Sequence, residues 1–247
     1  MYSIVSHVII AVNATRNLCA NSNIDFSQFE GNLMIKTDEV ITLYHGSKSG
    51  IQGPIAPISR KYCDFGKGFY MGTDRMQPLT LICNFPNAKL YTLSMDLADL
   101  KIFDVEVGLD WALLVAYNRG KMKSVKHSPI YHRFANLGKD CDMITGYIAN
   151  DRMFVVLDRF FNGEITDMAL IHSLSALNLG KQYVALTEKA CKKIKVLHEQ
   201  ELTKNDRDAL KQKSETNRSK GIAMADEICR KYRREGRFFD EILEAGE

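Results

Sequence analysis

Several short stretches of this chain carry side chains whose types and order suit ligand chemistry. In Leu43-Tyr44-His45-Gly46-Ser47 an apolar run ends on a histidine, a glycine and a serine. The histidine and serine supply hydrogen bonds, and the glycine lets backbone come close to a ligand because it has no Cβ. A His-Gly-Ser tripeptide is common, and a histidine at a strand end before a turn is its plainer reading. Further along, in Asp64-Phe65-Gly66-Lys67-Gly68-Phe69-Tyr70, the glycines suit a tight loop where backbone meets ligand. Tyr70 adds a flat ring for stacking and a phenol for hydrogen bonding. A glycine-rich hairpin with aromatic packing is the alternative. The run Cys141-Asp142 to Asn150-Asp151 offers two carboxylates, Asp142 and Asp151, although Asn-Asp is also an ordinary turn pair. Asn118-Arg119 closes an apolar helical stretch. Arg119 suits a diphosphate or an acceptor phosphate by bidentate pairing, and equally suits a helix C-cap.

Taken in order, these motifs resemble the NAD-binding half of the ADP-ribosyltransferase fold, shared by poly(ADP-ribose) polymerases and diphtheria-type toxins. Within that superfamily they look closest to a bacterial family. Its members read Leu-Tyr-His-Gly-Ser, then Asp-Phe-Gly-x-Gly-Phe-Tyr, Trp…Asn-Arg, Asp-(apolar)-(apolar)-x-Gly-x-(apolar)-Ala-Asn-Asp, and Gln on a late strand. Here these are Leu43–Ser47, Asp64–Tyr70, Trp111 with Asn118 and Arg119, Asp142–Asp151, and Gln182. The resemblance covers about residues 41–197. It implies an α+β fold, a split antiparallel β-sandwich with flanking helices and NAD in the cleft between the sheets. It implies that His45 bonds the adenosine ribose and the Gly46 backbone holds the nicotinamide carboxamide. Ser47, Phe65, Gly66, Gly68, Tyr70, Thr73, Asn118 and Arg119 complete the implied NAD contacts. Gln182 and Tyr70, assisted by Asp142 or Asp151, are the implied catalytic set. No metal is called for.

Gln182 stands where the polymerases carry a glutamate. A glutamate there bonds the nicotinamide ribose and stabilises the cation that forms on it; glutamine keeps the hydrogen bonds and loses the charge. Losing one such contribution costs about 3–4 kcal/mol, or roughly 10²–10³ in rate. Met71-Gly72-Thr73, Pro78 and Leu81 also depart from the family pattern along the nicotinamide wall. The activity implied is therefore mono-ADP-ribosylation of a macromolecular acceptor, protein or nucleic acid, without polymer synthesis. A non-catalytic NAD or ADP-ribose binding module and an NAD hydrolase are the alternatives. A toxin or phage-defence role, with a small antitoxin-like protein partner, belongs to the same resemblance.

The elements that must position these residues follow from apolar periodicity. Strands are expected at Leu33–Ile35, Ile41–Tyr44, Gly68–Gly72, Lys89–Met95, Met143–Ile148, Met153–Leu157 and Gln182–Leu186. Helices are expected near Val5–Leu18 and at Asp74–Cys83, Asp104–Asn118, Thr166–Ala176 and Thr187–Val196. Asp74 and Thr166 are candidate N-caps, and Pro78 lies early enough in its helix to be tolerated. Three regions result: an extension over residues 1–40, the motif-bearing domain over 41–197, and a charged helical tail over 198–247. Ile222, Ala225, Ile228, Cys229, Tyr232 and Phe239 give the tail one sparse apolar face. Its basic residues Arg230, Lys231, Arg233, Arg234 and Arg237 read first as a solvated helix face, and alternatively as a phosphate surface.

The chain has 247 residues, 45% of them hydrophobic, enough for a substantial core, and its formal charge of +3 does not by itself call for a nucleic-acid partner. Six scattered cysteines include no Cys-x-x-Cys pair, so neither a zinc ribbon nor a disulfide framework is expected. Reduced thiols point to a cytoplasmic protein. Met1–Val12 is apolar but has no basic leader or cleavage site, and no apolar run reaches the roughly 20 residues of a membrane span.

Overall fold

The computed structural model describes residues 31–35, 39–135, 137, 140–148, 151–176 and 180–245. The expected helix near Val5–Leu18 and the loop after it lie outside this set. The fold is α+β. Its strands are β1 (Gly31–Ile35), β2 (Val40–Ser47), β3 (Phe69–Gly72), β4 (Lys89–Asp96), β5 (Lys101–Val105), β6 (Met143–Tyr147), β7 (Lys181–Ala185) and β8 (Ile194–Glu201). They form one sheet in the order β1-β5-β6-β7-β3-β2-β4-β8, antiparallel throughout except for the parallel β5–β6 pair. The helices are α1 (Met76–Ile82), α2 (Leu109–Asn118), α3 (Pro129–Ala135), α4 (Asp151–Phe161), α5 (Asp167–Ala176), α6 (Glu188–Lys192), α7 (Lys204–Lys231) and α8 (Phe239–Ala245).

The sheet is continuous, and its weakest junction is β2–β3. β2 and β4 share eight register pairs, from Val40 with Asp96 to Ser47 with Lys89, whereas β2 and β3 share one, Tyr44 with Gly72. Beyond that pair no register pair joins the two strands, and His45, Gly46 and Ser47 border this seam.

Side chains alternate across the sheet with period two. Ile144 and Val184 enter a large core with Phe103, Trp111 and Phe160, built with helices α2 to α5. Their neighbours Met143 and Ala185 enter a second core on the opposite face, with Leu43, Phe69, Leu93 and Met95. A small third cluster, Leu79, Ile82, Ala88, Leu90 and Leu202, joins α1 to β4 and the start of the tail.

Three expectations are corrected. Met153–Leu157 is not a strand but the interior of α4. A five-residue apolar run is ambiguous between strand and helix, and here Phe160 and Phe161 continue it at helical spacing, buried together with Val156 and Leu157. The helix expected from Asp104 starts only at Leu109; Lys101–Val105 is β5, with Ile102, Phe103 and Val105 buried. The helix expected over Thr187–Val196 ends at Lys192, and the chain turns into β8.

Other local signals act as expected. Thr166 accepts the Ala169 N–H at 3.3 Å and Asp74 accepts the Met76 N–H at 2.8 Å; Thr187, which the sequence did not single out as a cap, closes the start of α6 by accepting the Ala190 N–H at 3.2 Å. Pro78 sits in the first turn of α1, where its missing N–H costs no helical bond. The tail begins as the edge strand β8 and continues as α7, which opens with a capping box between Thr203 and Asp206. Ala225, Cys229, Phe239, Ile242 and Leu243 of α7 and α8 are buried in the large core with Trp111.

Candidate active site

The seam is built from β2, β3 and β7. His45 leaves β2 and reaches across the gap, its Nδ1 2.7 Å from the Tyr70 carbonyl oxygen. Its ring stacks on Phe69 with centroids 4.4 Å apart. A carbonyl only accepts, so Nδ1 carries the proton. Burial, opposed by this hydrogen bond, holds the His45 pKa below its usual 6.5. The imidazole is therefore neutral near pH 7 and presents Nε2 as an acceptor.

Gln182 lies two strands away and in register. It pairs with Gly72 on β3, which pairs with Tyr44 on β2, and on its other side with Gly146 on β6. The residue is 6% exposed. Its Nε2 donates to the Tyr147 carbonyl at 3.1 Å, and its Oε1 takes no hydrogen bond among the described residues. The start of β7 is firmly held. Lys181 exchanges hydrogen bonds with Thr73, and its ammonium pairs with Asp104 at 2.7 Å. Asp104 also accepts the Thr145 hydroxyl at 2.6 Å. Sequence reading missed this support because Asp104 had been placed at a helix start; its position opposite Thr145 follows only from the parallel β5–β6 register. Gln77 of α1 was missed too. Its Oε1 lies 3.1 Å from where a Cβ on Gly72 would stand, so it overhangs the row that holds Gln182.

Tyr70 reaches the seam through its main chain. Its phenol donates to the Gly66 carbonyl at 2.8 Å and accepts the Phe65 N–H at 3.0 Å. Burial above all pushes its pKa up, so it stays a neutral donor. The Asp64–Tyr70 motif and the Asn118-Arg119 pair explain each other. Arg119 Nε and Nη2 bond Asp64 Oδ1 at 3.0 and 2.7 Å, both side chains being largely buried. Asn118 Nδ2 donates to the Asp64 carbonyl at 3.0 Å. Gly66 has φ +80°, and a Cβ there would lie 3.1 Å from Asn118 Oδ1, so only glycine suits the position. Phe65 is buried in the large core, and Gly68 donates its N–H to Ser59 at 3.4 Å.

Other expected site residues are placed differently. A Cβ on Gly46 would lie 2.9 Å from both Ile82 Cγ2 and the Pro78 carbonyl. This glycine therefore lets β2 lie against α1, a packing reason for glycine beside the ligand approach expected. Thr73 spends its hydroxyl on Lys181. Arg119 and Asn118 hold the loop. Asp142 is not beside Gln182. It flanks Met143, which pairs with Ala185 at the far end of β7, and stands four residues before Gly146, the partner of Gln182, about 13 Å along the strand at roughly 3.3 Å per residue. There it accepts from Lys101 N–H, Thr187 and Lys189 at 3.0, 2.9 and 3.0 Å. Burial alone would raise its pKa; these donors outweigh burial and lower it. Asp151 opens α4, and its side chain is outside the described set. Ser47 ends β2 opposite Lys89.

Among the described residues no group of His, Cys, Asp or Glu is placed to hold a metal, and no helix is long and apolar enough to cross a membrane.

Residues 41–196 match the model of a family described as "Protein of unknown function (DUF3990)", and the chain belongs to that family. No curated protein is significantly similar to it. Among solved structures it is similar to a chain of the MbcT–MbcA toxin–antitoxin complex of M. tuberculosis, with 7% identity and a TM-score of 0.39. That likeness covers 80% of this chain and 96% of the other. A likeness so remote carries no argument.

Proposed function

We propose that the seam binds NAD as substrate and that the protein is a mono-ADP-ribosyltransferase on an ADP-ribosyltransferase-like fold. The observation that supports this reading is the hydrogen bond from His45 Nδ1 to the Tyr70 carbonyl where β2 and β3 share a single pair, with Gln182 in the same row of strand partners, Tyr44–Gly72–Gln182. Two acceptors there lack partners among the described residues, Nε2 of neutral His45 and Oε1 of Gln182. Both suit ribose hydroxyls.

In this reading His45 accepts from the adenosine ribose and Tyr70 positions His45 through its carbonyl. Gln182 Oε1 accepts from the nicotinamide ribose. The C1′–N bond breaks, nicotinamide leaves with the bonding pair, and the positive charge left on the ribosyl carbon is stabilised by the oriented amide dipole of Gln182. The acceptor's nucleophile then bonds C1′ and releases its proton. Asp151 is the carboxylate we retain for assisting that proton transfer, and Asp142 is not retained. A toxin or defence role with a small protein partner rests on the sequence resemblance alone.

The test is to incubate the protein with NAD labelled on its adenylate, with and without cell lysate, following nicotinamide release and macromolecular label. The expected result is label on a lysate component, lost in His45→Ala and lowered roughly 10²–10³-fold in Gln182→Ala. Nicotinamide release without macromolecular label would make the protein a hydrolase. Neither signal, with NAD still raising the melting temperature, would make it a binding module, the reading favoured by the uncharged Gln182.

A further inference from the structure

The loop that carries the Asp64–Tyr70 motif also carries charge. Residues 60–67 and 119–127 together hold seven lysine and arginine side chains and one carboxylate, Asp64, against a formal +3 for the whole chain. The two segments are one surface. Asp64 is bonded by Asn118 and Arg119, and a Cβ on Gly120 would stand 3.2 Å from the Tyr62 ring. Arg60, Lys61, Lys67, Lys123 and Lys126 are exposed and form no ion pair among the described residues. In their midst Tyr62 is 58% exposed, with Lys123 Nζ 5.7 Å from its ring centroid. Its backbone has φ +64°, a conformation bulky residues rarely adopt.

We propose that this face docks a single-stranded nucleic acid, with a base stacked on Tyr62 and phosphates held by Arg60, Lys61, Lys67 and Lys123. Five exposed cations with no ion pair among the described residues complement a phosphodiester backbone. An exposed ring among them offers a stacking platform that only an unpaired base can use. An acidic protein would match the charge but has no flat base to stack on an exposed ring flanked by Lys123. The face adjoins the seam, since Tyr70 fastens the same loop at Phe65 and Gly66. That the bound strand is also the acceptor rests on the transferase reading; that the face binds it does not.

The test is fluorescence anisotropy on the full chain without NAD, using labelled oligouridylate and oligothymidylate of about 12 nucleotides. A duplex of the same length and polyglutamate serve as competitors. Tyr62→Gly keeps a residue at ease with positive φ and removes the ring; it is expected to weaken binding about 5- to 100-fold. The double substitution Lys61→Glu and Lys123→Glu is expected to flatten the salt dependence, by about 0.7 in log–log slope for each phosphate no longer neutralised. No binding, equal competition by duplex or polyglutamate, or unchanged affinity in Tyr62→Gly overturns the proposal. The rise in melting temperature that NAD gives the same variants separates the two readings. It reports on the seam and is expected to be unaltered, so a docking face can fail while the seam works, and the reverse.

Discussion

Gln182 donates its amide to the Tyr147 carbonyl from a position 6% exposed. Gln182→Glu would set a carboxylate oxygen against that carbonyl, so the glutamate of the polymerases is not a free gain of charge here. We expect the variant to lose about 1–3 kcal/mol, the cost of a buried polar group deprived of its partner. Burial raises a carboxyl pKa. The folded value then lies above the unfolded one, so the variant is most stable below the ordinary carboxyl range and loses stability as pH rises. Urea titrations of variant and wild type from about pH 4 to about pH 8 check the sign. His45 behaves oppositely. Its folded pKa is lowered, so its contribution is complete above 6.5 and is lost as pH falls through the folded value. Melting temperature should therefore drop more steeply below pH 6.5 in the wild type than in His45→Gln, whose side chain does not titrate. Both residues were legible as candidates from sequence. Their tasks were not, because the partner of each is a main-chain carbonyl on another strand.

The motif loop and α2 stand or fall together. Arg119→Ala leaves Asp64, with 14% of its side chain exposed, without its counter-ion. Breaking a buried pair in this way costs about 3–5 kcal/mol. The expected outcome is a lower urea midpoint together with weaker NAD binding, although Arg119 itself need not touch NAD. Unchanged stability would return Arg119 to the role of phosphate ligand. The Asp64–Tyr70 run and Asn118-Arg119 stood out in the sequence as separate ligand motifs, and in the structure a salt bridge and a side-chain-to-main-chain hydrogen bond join them. Helix and strand were confused where apolar runs were short, at Met153–Leu157, and where a β-strand abutted a helix, at Lys101–Val105. Periodicity over five residues does not separate the two.

Across the whole molecule, the charged tail shares the core of the motif-bearing region. Phe239 packs on Phe160 and Phe161, with ring centroids 5.2 and 5.5 Å apart. Arg159 of α4 pairs with Asp226 of α7. Phe239→Ala should cost about 3–5 kcal/mol, as for other buried aromatics, and should lower the single unfolding transition of the full chain. A separate, unshifted transition for the rest of the protein would show that the tail folds apart from it. The tail's alternation of charge with sparse apolar residues announced amphipathic helices. It did not announce where their apolar side would go, because that depends on a surface made by α4 and α5, far away in sequence.

From its sequence alone the chain determined its α+β character and most of its strands, because turn chemistry and period-two burial are local, and it singled out His45, Tyr70 and Gln182 as candidates. Only the tertiary structure decided which sheet neighbours those positions have. Through them it decided that β2 and β3 part after one pair, that Asp142 sits at the wrong end of its strand, and that Arg119 is spent on Asp64. Register and strand order are set by the summed packing of both sheet faces, and no single segment carries that sum.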